Sequence, residues 1–273
     1  MQRPYRIGQI VPSSNTTMET EIPAMLMARQ PIRPERFTFH SSRMRMKTVK
    51  KEELAAMDAE SDRCALELSD ARVDVLGYAC LVAIMSMGHG YHRTSEARLR
   101  ARTKDNAADA PVVTSAGALV DALKVIGAKR ICLVAPYMKP LTEMVVDYIR
   151  NEGYDVVEWR ALEIPDNLEV GRHDPSRLPA IVTEMSTRDV DAVVLSACVQ
   201  MPSLAAVPMV EAMTGKPVVT AAIATTYAML KALKLDPVVP GAARCCRVLT
   251  KPHRFHECGD RDEQVSIWRQ RPR

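Results

Sequence analysis

The sequence predicts an α/β protein: two pseudo-symmetric, doubly wound parallel-sheet half-domains with an active site in the cleft between them. Three observations point there. Short apolar runs alternate with helical segments along most of the 273 residues, the pattern of parallel sheets with crossover helices. Two stretches are echoed in the same order: Arg6-Ile7-Gly8-Gln9-Ile10-Val11-Pro12 by Arg130-Ile131-Cys132-Leu133-Val134-Ala135-Pro136, and Pro111-Val112-Val113-Thr114 by Pro217-Val218-Val219-Thr220. Between the echoes, each half carries an apolar run that ends in cysteine: VDVLGYAC, reaching Cys80, and VDAVVLSAC, reaching Cys198.

The elements follow in order. A first strand at residues 7–11 leads into Ser13-Ser14-Asn15-Thr16-Thr17, whose side chains can cap a helix over 18–28. Pro31 and Pro34 break the chain before a strand at 37–40. An amphipathic helix spans 51–70 with Leu54, Met57, Cys64, Leu66 and Leu68 among its apolar positions. The strand ending at Cys80 follows, then a loop at 86–90, a charged helix at 95–104 and a strand at 111–114. The second half repeats the plan, with helices at 119–126, 140–152, 178–185 and 209–213 interleaved with strands at 130–135, 156–161, 190–198 and 217–220. The last helix, 224–233, closes the body. The expected division is a first half over 1–115 carrying Cys80, with the segment 221–243 packing back on it. The second half covers 116–220 and carries Cys198, and an atypical basic tail over 244–273 is expected to be disordered.

Composition narrows the function classes. Aromatic content of 4% argues against base-stacking surfaces, while 47% hydrophobic residues supply ample core. The net charge of +4 resides in the tail, so the balanced body gives no case for a nucleic-acid or membrane partner. No amino-terminal run resembles a secretion signal, and no run reaches the roughly 18 apolar residues of a membrane span. Seven irregularly spaced cysteines do not suggest a disulfide framework, which points to a reducing cytoplasm. In the tail, His253, His256, Cys258 and the Cys245–Cys246 pair match no standard zinc module, so no metal is expected.

Cys80 and Cys198 stand out among the thiols. A cysteine at a strand end, facing a helix amino terminus, meets N–H groups that favour thiolate. Cys132 inside a strand and Cys64 inside a helix read as packing residues. Asn15 reads either as a helix cap or as a polar group aimed into the cleft, Tyr137 as a partly buried phenol or a donor there, and Asn167 as a turn residue.

The stretch Gly8-Gln9-Ile10-Val11-Pro12-Ser13-Ser14-Asn15-Thr16-Thr17-Met18-Glu19, with Ala79-Cys80 and Ser196-Ala197-Cys198-Val199-Gln200-Met201-Pro202-Ser203, resembles the maleate cis-trans isomerases of the aspartate/glutamate racemase superfamily. The resemblance runs from about Tyr5 to Gly241 and implies cofactor-free interconversion of maleate and fumarate, with Cys80 as nucleophile and Cys198 as acid/base. It implies substrate-binding roles for Asn15, Tyr137 and Asn167. Ser14, Leu81, Val82 and Val199, which flank these motifs, complete the candidate set. The tail departs from the family, whose members end soon after the equivalent of Pro240-Gly241.

The chemistry gives these roles a reason. Thiolate addition to one alkene carbon and protonation of the other turn the double bond into a single bond that rotates; reversal releases the other isomer. The enediolate between those steps needs donors, and since only Lys139 is basic in these loops, neutral groups and helix termini are expected to supply them. Arg43, Arg45 and Lys47 are candidate charges at the mouth, or else a solvated face. A homodimer is the expected assembly. Two other readings stay open: a two-cysteine amino-acid racemase, although Leu81-Val82 and Val199-Gln200 leave few groups to hold an amino acid, and a bilobal binder of small acids. Arylmalonate decarboxylases, also related, work with one of the two thiols.

Overall fold

A computed structural model describes residues 3–47, 49 and 51–240. The tail, with its histidines and cysteines, lies outside the described residues. The first sheet comprises β1 (Tyr5–Pro12), β2 (Phe37–Met44), β3 (Val75–Tyr78) and β4 (Val112–Thr114), all parallel and ordered β2-β1-β3-β4. The second comprises β5 (Arg130–Ala135), β6 (Asp155–Ala161), β7 (Ala192–Ser196) and β8 (Val218–Thr220), ordered β6-β5-β7-β8. The two sheets therefore share one topology, which gives the sequence echoes a physical meaning. Arg6–Pro12 and Arg130–Pro136 are the strands from which each sheet grows in both directions.

That growth fixes where a ligand fits. In each sheet the chain leaves the first strand for an edge, then returns to pair on the opposite side. Parallel sheets open a crevice at such a reversal, beyond the carboxyl ends of the two strands concerned. In the first sheet those ends lead to Ser13–Asn15 and to Cys80; in the second they lead to Tyr137 and to Cys198.

The intervening helices are α1 (Met18–Met27), α2 (Lys51–Asp70), α3 (Leu81–Ser86), α4 (Tyr91–Asp105) and α5 (Ser115–Val125), then α6 (Lys139–Asn151), α7 (Asn167–Gly171), α8 (Leu178–Thr183), α9 (Val207–Thr214) and α10 (Ala221–Ala232). The core strands β3 and β7 are buried at every residue, as strands covered on both faces must be. Helix α10 packs against α5 and α1 and reaches β3 and β4 of the first sheet.

The repeated PVVT tetrapeptide is a strand-to-helix junction. Thr114 Oγ1 accepts the N–H of Gly117 at 3.0 Å, and Thr220 Oγ1 accepts that of Ile223 at 3.1 Å. Each threonine thus ends a strand and caps the next helix. Thr220→Ala is expected to cost about 1 kcal/mol of stability through loss of the cap, measured as a lower urea midpoint at unchanged slope.

Some elements differ from the sequence reading. The second strand runs four residues further, to Met44, because its later residues pair in register with Gln9 through Pro12. Helices α3 and α7 are short turns of helix without room for a periodic pattern. Gly8 stands where the second half has Cys132; a Cβ there would meet Leu76 Cδ2 at 2.7 Å, so the first half trades a side chain for close approach of β3. Among the described residues, no helix is long and apolar enough to cross a membrane.

Candidate active site

Residues from both halves meet in a cleft of about 310 Å³, part of it open to solvent. The first half contributes Pro12, Asn15, Cys80, Leu81 and Val82; the second contributes Tyr137, Asn167, Cys198, Val199 and Gln200. Met46 and Val49, beyond β2, add an apolar flank. Of the catalytic and substrate-binding candidates (Asn15, Cys80, Leu81, Val82, Tyr137, Asn167, Cys198, Val199 and Ser14), only Ser14 does not line the cleft. Its Oγ instead accepts from Asn167 Nδ2 at 2.8 Å, which ties the two halves together.

Asn15 sits in the turn after β1. Its Oδ1 accepts the N–H groups of Thr17 and Met18, both at 3.0 Å, so the asparagine satisfies donors at the start of α1 from two residues ahead of the N-cap Thr17. The two readings of Asn15 are therefore compatible, because the amide oxygen serves the helix start while the amide nitrogen stays available to a ligand. Arg43 holds this turn from outside. Its guanidinium donates to the carbonyls of Asn15 at 2.5 Å and Ser13 at 3.3 Å and pairs with Glu19. It braces the loop and does not line the cleft. Arg45 and Lys47 border a separate surface cleft beside Met46, and among the described residues the lining of the central cleft holds no Lys, Arg or His.

Cys80 is the residue before α3 and is partly exposed to the cleft. The N–H of Ala83 stabilises its thiolate, but burial outweighs that donor, and repulsion from Cys198 and Asp58 adds to it, so the thiol is pushed up to about 12. Cys198 is 7% exposed and follows β7 by two residues. No helix starts there. In place of a helix terminus, the Tyr137 side chain and the N–H groups of Gln200 and Met201 surround the sulfur. Burial still raises Cys198, opposed by the nearby Tyr137 side chain and the two N–H groups. The expectation that strand ends alone would favour thiolate is thus reversed in sign by desolvation at both sites. Burial is common to the two sulfurs, and Cys198 has more groups opposing it than Cys80, which has the one N–H of Ala83.

Tyr137 is 4% exposed, and its hydroxyl donates to the carbonyl of Ala197 at 2.9 Å. Burial and the two neighbouring sulfurs hold its phenol well above the usual tyrosine value, so it remains a donor. Asn167 is the first residue of α7, held by the cap that Asp166 supplies to that turn. Cys64 and Cys132 are fully buried packing residues, as read from the sequence. Cys80 and Cys198 are both free.

Gln200 is the residue that sequence reasoning passed over. It was legible only as part of a motif, because a glutamine after a strand carries no local signature. It is 2% exposed, and its carboxamide bridges the halves.

The arylmalonate decarboxylase family model matches residues 7–246 of this chain. A maleate isomerase of Pseudomonas putida is 78% identical over 242 residues, which is 89% of this chain and 97% of that protein. The crystal structure of a P. putida maleate isomerase superposes with a TM-score of 0.89 at 67% identity, covering 91% of this chain and 99% of the other. A Nocardia farcinica maleate cis-trans isomerase, solved as a cysteine-to-serine mutant with a covalently bound succinylcysteine intermediate, superposes with a TM-score of 0.86 at 47% identity, covering 90% and 99%. Matched over about nine-tenths of its length by a maleate isomerase 78% identical to it, the chain belongs to the maleate isomerase family of enzymes.

Proposed function

We propose that this enzyme interconverts maleate and fumarate by reversible addition of Cys80 to the double bond, with Cys198 as acid/base. The observation that carries the reading is the pair of free thiols, one from each half, facing a cleft in which the polar groups among the described residues are neutral. With one proton lost from the pair and Cys198, as the base, taken as the starting thiolate, the steps balance. Cys198 thiolate takes the proton of Cys80 as the Cys80 sulfur bonds to one alkene carbon. The π electrons move onto the neighbouring carboxylate as an enediolate. Cys198 then returns the proton to the second carbon and leaves a succinyl thioether on Cys80. The central bond is now single and rotates, and the reverse steps expel fumarate.

Neutral donors suit this path. A fixed cation would bind the dicarboxylate as tightly as the enediolate, whereas amide and phenol donors strengthen as charge concentrates on one carboxylate. The Asn15 and Asn167 amide nitrogens and the Tyr137 hydroxyl are the groups assigned to this task, with Leu81, Val82 and Val199 enclosing the carbon chain. A two-thiol racemase is the second reading, but those three apolar residues offer nothing to an α-ammonium group.

Proton NMR of maleate mixed with the reduced protein, with chelator and no added cofactor, tests the proposal. Fumarate formation supports it; no fumarate from folded, reduced protein overturns it and points to aspartate and glutamate racemisation. A reducing cytoplasm, which keeps the two thiols unpaired, and a homodimeric state belong to the same reading. Light scattering decides the assembly.

The pH dependence follows from the raised thiols. Turnover requires one thiolate in the pair, and burial holds both sulfurs protonated at neutral pH. The ratio kcat/KM is therefore expected to climb as pH rises above neutral, toward the first ionisation. Cys80, pushed up to about 12, adds no second limb in the working range. A kcat/KM profile in overlapping buffers checks this; a flat profile excludes a buried thiol as the controlling group.

A further inference from the structure

We infer that Gln200 is a positioning residue that sets the donor atoms of Asn15 and Asn167 against Cys198, and that it does so only as a neutral amide. The inference rests on the maleate reading for the identity of the reaction. Gln200 Oε1 accepts the N–H of Thr16 at 2.8 Å and that of Thr17 at 3.3 Å. Gln200 Nε2 donates to the carbonyl of Ser14 at 3.1 Å and that of Asn167 at 2.7 Å. Both protons of the amide nitrogen and both lone-pair directions of its oxygen are engaged, so the side chain has no hydrogen bond left for a substrate. Although it borders the cleft, it acts through others.

What it touches defines what it does. Thr16, Thr17 and Ser14 flank Asn15 on both sides, and Asn167 O belongs to the other donor residue. The backbone N–H of Gln200 meanwhile faces the Cys198 sulfur. One residue thereby links the acid/base thiol in the second half, the donor turn in the first, and α7. The space around its amide is closed, since a Cβ on Gly171 would lie 2.5 Å from Nε2. A second tie holds the same loop, because Glu21 Oε1 accepts the N–H groups of Ser203 and Leu204, both at 2.7 Å.

The two carbonyls facing Nε2 make the requirement chemical. In Gln200→Glu, a carboxylate oxygen would confront the oxygens of Ser14 and Asn167, which repel it, whereas the neutral acid can donate to one of them. The variant is therefore expected to work as an acid and fail as a base form. Its activity relative to wild type should be highest at low pH and fall as pH rises through the carboxyl's ionisation, about tenfold or more across the range, because a buried partner is then lost. Gln200→Leu, similar in shape and lacking polar atoms, should lose about tenfold or more in kcat, with a smaller change in KM, at every pH.

The experiment measures maleate turnover and, by calorimetry, binding of succinate, which has no double bond to react. It does so for wild type and both variants across pH, with circular dichroism to confirm the fold. A variant-to-wild-type ratio that falls with pH for Gln200→Glu in both measurements supports the inference, including where Gln200→Leu does not fold. A ratio independent of pH, a Gln200→Glu protein unfolded even at acid pH, or no succinate binding by wild type overturns it. Should wild type bind succinate yet form no fumarate, the maleate reading fails alone, and the succinate ratio still decides the role of Gln200.

Discussion

Cys80→Ser is expected to abolish fumarate formation, by at least about 10⁴-fold in kcat, the scale on which removal of a covalent nucleophile acts. Serine keeps the volume but not the chemistry. A hydroxyl in the position before α3 meets the same burial that, with repulsion from Cys198 and Asp58 and against the one N–H of Ala83, raises the thiol to about 12. An alcohol there stays protonated, and its oxygen does not add to an alkene. Cys198→Ser is expected to separate the half-reactions. The Cys80 sulfur still lies in the cleft, so maleate can add slowly with a proton from solvent, whereas the elimination that follows rotation has lost its base. Mass spectrometry should then show a gain equal to one maleic acid on the Cys80 peptide, with fumarate absent. Adduct on Cys198 in the Cys80→Ser protein, with none on Cys80 in the reciprocal variant, would exchange the two roles.

Asn15→Asp is expected to lower kcat/KM by about 10²–10³-fold while leaving the melting temperature nearly unchanged, the magnitude seen when one donor to a developing oxyanion is removed. The geometry separates the two tasks of this side chain. Aspartate presents the same oxygen to the N–H groups of Thr17 and Met18 and accepts there as well as asparagine does. What it lacks is the amide nitrogen, replaced by an anionic oxygen that repels a dicarboxylate. Loss of activity together with loss of stability would show that the residue serves the helix start alone; retention of both would remove it from the site.

Much of this architecture was legible because its signals are local and doubled. Capping threonines after PVVT, cysteines after buried strands and proline after the first strand of each half recur in one order, and each marks a junction that the fold must make. The cleft then follows from strand order, and with it the meeting of Asn15, Cys80, Tyr137, Asn167 and Cys198. The rest is not local. The reach of Gln200 across 184 residues to Thr16 leaves no trace in either segment's composition. Ser14 was placed among the substrate-binding candidates, but its contact with Asn167 depends on how the halves meet. Arg43 reads as a surface charge because nothing nearby in sequence reveals the two carbonyls it holds. The sign of the thiol shifts was equally hidden, since a strand end shows which N–H groups are near but not how much water is gone.

The cleft is a seam, with a thiol and donor groups on each bank. The candidate catalytic groups are carried on elements of their own half, so on the proposed mechanism their relative alignment is inherited from the packing of one sheet system against the other. Substitutions that shift one bank by a fraction of an ångström alter the distance from thiol to alkene and from donor to enediolate together, without removing a single reacting group. Variation in turnover among such proteins can therefore be sought in the contacts that cross the seam, where the reacting residues themselves leave no room to change.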